Sequence, residues 1–248
     1  MKRGSIAALA VASLLTACGG GGSGNDDRGP RAAGVYEGST SNGGAFQALV
    51  LDDDQFWALY GVEVGDLFYI AGFLQGQAAS GRGRITSSDI RDFGDSPAAS
   101  GTLEGAYSAG ASITGARRSA SGTVAFNGTA VAPEDFAYDS PADIAAIAGD
   151  WNMIGLGGAV ASVSIAASGA VTGESDGCIY AGTVAPHASG KNVFSVTATF
   201  GGAACARPGQ TAIGIAVSHL VNGGPLRRLL VLATDAARRE GIGLVGVR

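Results

Sequence analysis

Apolar and polar residues alternate in short runs through nearly the whole chain from residue 34 onward, and glycine, asparagine or aspartate interrupts them every few residues. In residues 192–200, Phe194, Val196, Ala198 and Phe200 share one face, and Ser195, Thr197 and Thr199 share the other. In residues 160–167, Ala161, Val163 and Ile165 oppose Ser162 and Ser164. A period of two belongs to extended chain with one buried and one wet face, which is antiparallel sheet. The separators carry turn chemistry: Ser41-Asn42-Gly43-Gly44, Asp52-Asp53-Asp54, Ser168-Gly169 and Ser189-Gly190-Lys191. Glycine supplies 42 of 248 residues, more than twice its usual share of about 7%. Because these glycines are interleaved with Val, Ile, Phe and Tyr, they point to tight turns and close backbone approach, not to collagen or disorder.

The alternating region divides at Ser140-Pro141 into stretches 31–139 and 140–248, each 109 residues long. Both open with an aromatic two residues after a glycine, in Ala33-Gly34-Val35-Tyr36 and Ala148-Gly149-Asp150-Trp151, a pattern that points to duplication. Strand-like runs in the first stretch cover 34–39, 45–51, 55–61, 67–77, 82–91, 101–108, 112–118 and 122–130. In the second they cover 150–155, 160–167, 170–176, 178–185, 192–200, 210–219, 226–234 and 241–248. Eight antiparallel strands in such a length fit a closed up-and-down barrel, which leaves no exposed edge. The expected fold is therefore all-β, with two tandem eight-stranded barrels. Residues 140–147 read as one or two helical turns, with Ser140 as cap, Pro141 at the first position and Asp143 in the first turn. Runs mostly under ten residues, without aromatic girdles, speak against a membrane-spanning barrel.

Gly149-Asp150-Trp151, following that short helical stretch, is similar to the G-x-W opening of lipocalin and calycin barrels. The resemblance implies that Trp151 caps the barrel base against an arginine near the last strand, a place that Arg248 would fill. The first half departs from it, with Tyr36 standing where tryptophan would be.

At the N-terminus, Lys2 and Arg3 precede an apolar run from Ile6 to Leu15 that is too short to span a bilayer as a helix. The run ends in Leu15-Thr16-Ala17-Cys18, which resembles the lipobox of bacterial lipoproteins. The resemblance implies a signal peptide over 1–17, diacylglyceryl modification of Cys18 and a lipid-anchored place in the cell envelope. Gly19, where Asp would favour inner-membrane retention, points to the outer membrane. Residues 18–30 begin with a Gly/Ser run and read as a flexible tether. If Cys18 is acylated, Cys178 and Cys205 remain as an even pair in an oxidising compartment and are expected to form a disulfide. More broadly, the chain resembles uncharacterised proteobacterial surface lipoproteins with glycine-rich β domains. The segments 177–184, 200–205 and 208–210 carry that likeness, which implies no particular activity.

Without Lys2 and Arg3 the chain holds 14 basic and 21 acidic residues, a net charge of −7. That balance argues against nucleic acid as a partner, which requires a basic face. Gly173-Glu174-Ser175-Asp176-Gly177 matches the nucleophile elbow G-x-S-x-G, but a strand follows it where that mechanism needs a helix, so it reads as a hairpin turn. The two histidines, His187 and His219, have no partner close in sequence, and no catalytic role is expected. Asp52-Asp53-Asp54 has no calcium-loop spacing and reads as a polar turn. Gly155-Leu156-Gly157-Gly158 lacks the helix that a phosphate loop requires. No metal or cofactor is expected. Aromatic residues cluster at Phe56, Trp57, Tyr60, Phe68, Tyr69 and Phe73. Adjacent pairs place one ring on each strand face, so one set is core and the other an exposed surface or an inter-domain contact. Trp57, Tyr60, Phe68 and Tyr69 are the candidate binding surface. The sequence thus points to a non-enzymatic envelope lipoprotein, a binding module anchored to a membrane and directed at an unknown protein. The alternative is a carrier that holds a small apolar ligand inside a barrel, and an open rather than filled interior would favour it.

Overall fold

The computed structural model describes residues 29–65, 67–94, 96–221 and 223–248. The signal segment, Cys18 and most of the tether lie outside the described residues. The chain forms two successive closed barrels of eight antiparallel strands. The first comprises β1 (Gly34–Thr40), β2 (Ala45–Val50), β3 (Gln55–Val64), β4 (Leu67–Gly81), β5 (Arg84–Asp92), β6 (Ala99–Ser108), β7 (Ser112–Ser119) and β8 (Gly122–Ala130). The second comprises β9 (Gly149–Gly155), β10 (Val160–Ile165), β11 (Ala170–Ser175), β12 (Cys178–Pro186), β13 (Phe194–Gly201), β14 (Thr211–Leu220), β15 (Arg227–Thr234) and β16 (Gly241–Val247). Within each barrel every strand pairs with the next, and β8 closes on β1 as β16 closes on β9. Full closure removes the unpaired strand edges that would otherwise template aggregation.

The boundaries follow turn chemistry. The fifth strand starts two residues later than the alternation predicts, because Arg82 and Gly83 both adopt positive φ, 52° and 75°, and make the two-residue turn themselves. The helical stretch expected over 140–147 shrinks to a 3-10 turn at Ile144–Ala146. Asp143, not Ser140, caps it by accepting the Ala145 N–H at 2.9 Å.

Each barrel is plugged where its chain enters. In the first, the Tyr36 hydroxyl donates to the Ala32 carbonyl at 3.0 Å and the Tyr107 hydroxyl to the Pro30 carbonyl at 2.6 Å. Asp54, buried at a φ of 66°, pairs with Arg31 at 2.5 Å and accepts the Ser80 N–H at 3.1 Å. In the second, Trp151 donates to the Ile147 carbonyl at 2.8 Å, and the Arg248 guanidinium lies 4.0 Å from the tryptophan ring centroid. Arg248 also donates to the Ala148 carbonyl at 2.9 Å. The tryptophan–arginine stack implied by the calycin resemblance is thus present in the second barrel. Tyr36 closes the first by a hydrogen bond instead.

The two barrels share a core. Outward residues of β2–β4, among them Leu49, Trp57, Leu59, Ile70 and Phe73, pack against outward residues Ile215, Val217, Leu230, Leu232 and Val245 of β14–β16. Gly241 makes this possible, because a Cβ there would sit 2.5 Å from the Phe73 ring and 2.6 Å from Phe93. Polar contacts fasten the rim. Arg238 pairs with Asp89 at 2.7 Å and donates to the Gln75 carbonyl at 3.0 Å. The buried Arg228 pairs with Glu63 at 3.0 Å, and the Ala98 N–H donates to the Arg239 carbonyl at 2.9 Å. Phe136, in the segment joining the barrels, is buried in the same core. These contacts seat the barrels as one body.

Candidate functional site

Alternation gives each barrel an interior as well as an exterior. In the first, Phe46, Ala48 and Val50 of β2, Phe56, Ala58 and Tyr60 of β3, and Leu74, Ile85, Leu103, Ile113 and Phe126 point inward. They surround a cavity of about 270 Å³. One water needs roughly 10–15 Å³ of such space, so this interior is open on the scale of a small molecule. Small residues help to leave the room: Ala48 and Ala58, directly paired on β2 and β3, both line it.

The cavity opens at one end only. Its mouth is formed by Thr40, Asn42, Gly43, Gly44 and Val62, where β1, β2 and β3 turn. The plug of Pro30, Ala32, Tyr36 and Tyr107 closes the opposite end. One buried polar cluster sits near the mouth: the Tyr60 hydroxyl donates to Asp92 at 2.5 Å, and Arg117 pairs with the other Asp92 oxygen. Tyr60 is held between two glycines, since a Cβ at Gly72 or Gly94 would lie 2.2 Å from its hydroxyl. The charges therefore satisfy one another and leave the lining predominantly apolar, the pattern of a small-molecule pocket with few orienting groups.

The second barrel also has an open interior, of about 240 Å³, lined by Met153, Val163, Val184, Val196, Phe200 and Leu229 among others. The Cys178–Cys205 disulfide, which the structure contains, lies at the end away from the Trp151 plug. Cys178 begins β12 and lines the cavity there.

The four residues proposed from sequence as a binding surface do not form one. Trp57 (4% exposed) and Phe68 (1%) are buried between the barrels. Tyr60 points into the first barrel, and only Tyr69 (45%) faces solvent. Trp57 and Phe68 are not an exposed surface: they fall on the face that the second barrel covers, the inter-domain contact that the adjacent aromatic pairs also allowed. Period-two alternation separated the two faces of β3 and β4, but it does not say which face meets another domain. Tyr69 belongs to an exposed apolar hairpin with Val62, Val64 and Leu67.

Groups weighed for catalysis are spread apart. Ser175 ends β11, and its hydroxyl donates to the Val160 carbonyl at 2.9 Å. Asp176 and Gly177, both with positive φ, complete a hairpin turn there. His187 contacts Ser189 within its own turn, Nδ1 to Oγ at 3.0 Å. Asp54 is engaged by Arg31 and Ser80. Sequence reasoning missed a polar cleft between the barrels, lined by Glu37, Glu63, Asp135, His219 and Arg228. Burial raises the Glu37 carboxyl pKa, with Glu63 and Asp135 adding to the rise and Arg228 opposing it. Burial lowers that of His219, and Arg228 and Arg227 lower it further. These residues come from β1, β3, the joining segment, β14 and β15, so no local motif announces them.

No protein-family model matches the chain, and no curated protein matches it. Among solved structures, isotype 1 transferrin binding protein B from serogroup B Neisseria meningitidis aligns over 82% of this chain at 10% identity, with a TM-score of 0.26. The chain spans 64% of that protein's length.

Proposed function

We propose that the protein is a non-enzymatic binding protein of the bacterial envelope, lipid-anchored through Cys18, and that its first barrel carries a small apolar ligand. The open apolar interior of that barrel carries the reading. A filled core would have left only the outer surface for binding. The direction of the mouth supports it as well. The mouth lies at the end opposite the plug formed where the chain enters the barrel, so the entering segment does not block it.

Titration with a naphthylamine dye that brightens in apolar surroundings tests the proposal. Saturable binding is expected, and Ala58→Phe, which projects a ring into the first cavity, is expected to lower the stoichiometry by one. Overpacking costs stability, so the variant's fold is checked by circular dichroism. An unchanged stoichiometry in a folded variant refutes the site. A second reading, recognition of a protein partner, is favoured by the hairpin of Val62, Val64, Leu67 and Tyr69, whose exposed apolar side chains stand beside the mouth. Replacing Val64 and Tyr69 with serine separates the two, because dye binding survives and partner binding does not.

A further inference from the structure

Past the rim of the first barrel, β3 and β4 run on together as a two-stranded ribbon. β2 pairs with β3 only as far as Gly61, and β5 pairs with β4 only from Leu74. The two faces of the ribbon differ. On one, Phe68 and Ile70 enter the core shared with the second barrel, and Glu63 pairs with Arg228 at 3.0 Å. On the other, Val62 stands opposite Tyr69 and Val64 opposite Leu67. These four are 54, 45, 60 and 43% exposed, in that order.

Side chains alternate along a strand, so this exposed face is the one that carries Tyr60 inside the barrel. Val62 and Ala71 belong to both, because they also line the cavity. The apolar lining therefore continues outward through Val62 and past the mouth to Val64, two residues further, about 7 Å of strand. The rest of the mouth, Thr40, Asn42, Gly43 and Gly44, is polar or glycine, so the apolar path leaves the cavity on one side only.

The size and the neighbours of the strip narrow what covers it. Four side chains fall far short of the roughly 20–30 residues that each partner gives to a stable protein interface. Insertion into a bilayer would take Glu63, and the Asp66 that lies between the two strands in sequence, into hydrocarbon, where a carboxylate is costly. An apolar chain emerging from the cavity meets the strip with neither difficulty. The ribbon is also held from behind by Phe68, Ile70 and Glu63, so little ordering is needed when a chain settles on it.

Resting on the carrier reading of the first barrel, we propose that its ligand is a linear-chain amphiphile longer than the cavity. Its apolar end lies inside, the next stretch of chain lies along Val62, Val64, Leu67 and Tyr69, and its polar end reaches water beyond the ribbon.

Chain length is the variable that tests this. In the Cys18→Ser protein, which needs no detergent, the naphthylamine dye is displaced by hexanol, octanol, decanol, dodecanol and tetradecanol. Affinity is expected to rise about fourfold per methylene while the chain fills the cavity, from roughly 0.8 kcal/mol for each buried methylene. Along the strip, where one side of the chain is covered, about twofold per methylene is expected, half that free energy. Val64→Thr combined with Leu67→Thr keeps exposed side chains on the strand and should leave the melting temperature unchanged. It is expected to bind the short alkanols like the parent and to gain nothing from the longer ones. Profiles that coincide at every length, or a loss equal at every length, overturn the amphiphile. Co-sedimentation with phosphatidylcholine vesicles that the double substitution abolishes assigns the strip to a bilayer and overturns it too. Ala58→Phe separates this failure from that of the carrier reading: hexanol displacement that survives Ala58→Phe sinks both, whereas coincident profiles at an Ala58→Phe-sensitive site sink the amphiphile alone.

Discussion

Replacing Phe73 with alanine tests the seam that makes one body of two barrels. Phe73 is fully buried, stacks on Phe93 at a centroid distance of 4.5 Å and on Trp57 at 6.2 Å, and reaches the backbone of Gly241 across the interface. Truncating a phenylalanine in such a place costs about 3–5 kcal/mol, from lost transfer energy and the cavity left behind. For a body of this length each kcal/mol shifts the midpoint by about 2–4 °C, so the melting temperature is expected to fall by roughly 6–20 °C. The protein has two tryptophans, Trp57 on the interface face of the first barrel and Trp151 at the base of the second. Variants that retain one or the other report each barrel by fluorescence. The shared core predicts that both reporters melt together and that Phe73→Ala shifts both. A loss below about 1 kcal/mol, or a shift confined to Trp57, would refute the account of a continuous core.

Three further outcomes are expected. Replacing Cys178 and Cys205 together with serine should cost roughly 3.5 kcal/mol in denaturant titration, from the loop entropy of a 27-residue separation. His219 is buried and its pKa is lowered, so the unfolded chain takes up a proton below about pH 6.5 that the folded protein resists. Stability should therefore fall as pH drops through that range. The raised Glu37 pKa acts oppositely, adding stability at low pH that is lost as pH rises above about 4.5, so His219→Asn should flatten the upper part of the profile and Glu37→Gln the lower. Cys18→Ser should move the protein from the membrane fraction to the soluble one and leave the disulfide in place, as mass analysis would verify; membrane retention would refute the anchor.

Architecture was legible because closure and alternation are written residue by residue. Phe194, Val196, Ala198 and Phe200 lie on the faces that period two assigns them, and turns such as Ser41-Asn42-Gly43-Gly44 fall between strands as their chemistry requires. The disulfide pair was legible through parity. The interior was not, because openness depends on how side chains from eight strands sum in space, and Ala48 or Ala58 taken alone says nothing of its opposite number. For the aromatic cluster, the sequence left exposed surface and inter-domain contact both open. Trp57 and Phe68 become a seam only because β14–β16 present Ile215, Val217 and Leu230 on an outer face, and nothing in β3 or β4 encodes that meeting.

Native mass spectrometry of the protein extracted from bacterial membranes in mild detergent tests the carrier account most directly. The account predicts a population heavier than the lipidated chain by the mass of a small molecule, with the excess lost after solvent extraction and diminished in Ala58→Phe. A single species at the mass of the lipidated chain, together with dye binding that Ala58→Phe leaves untouched, would contradict it.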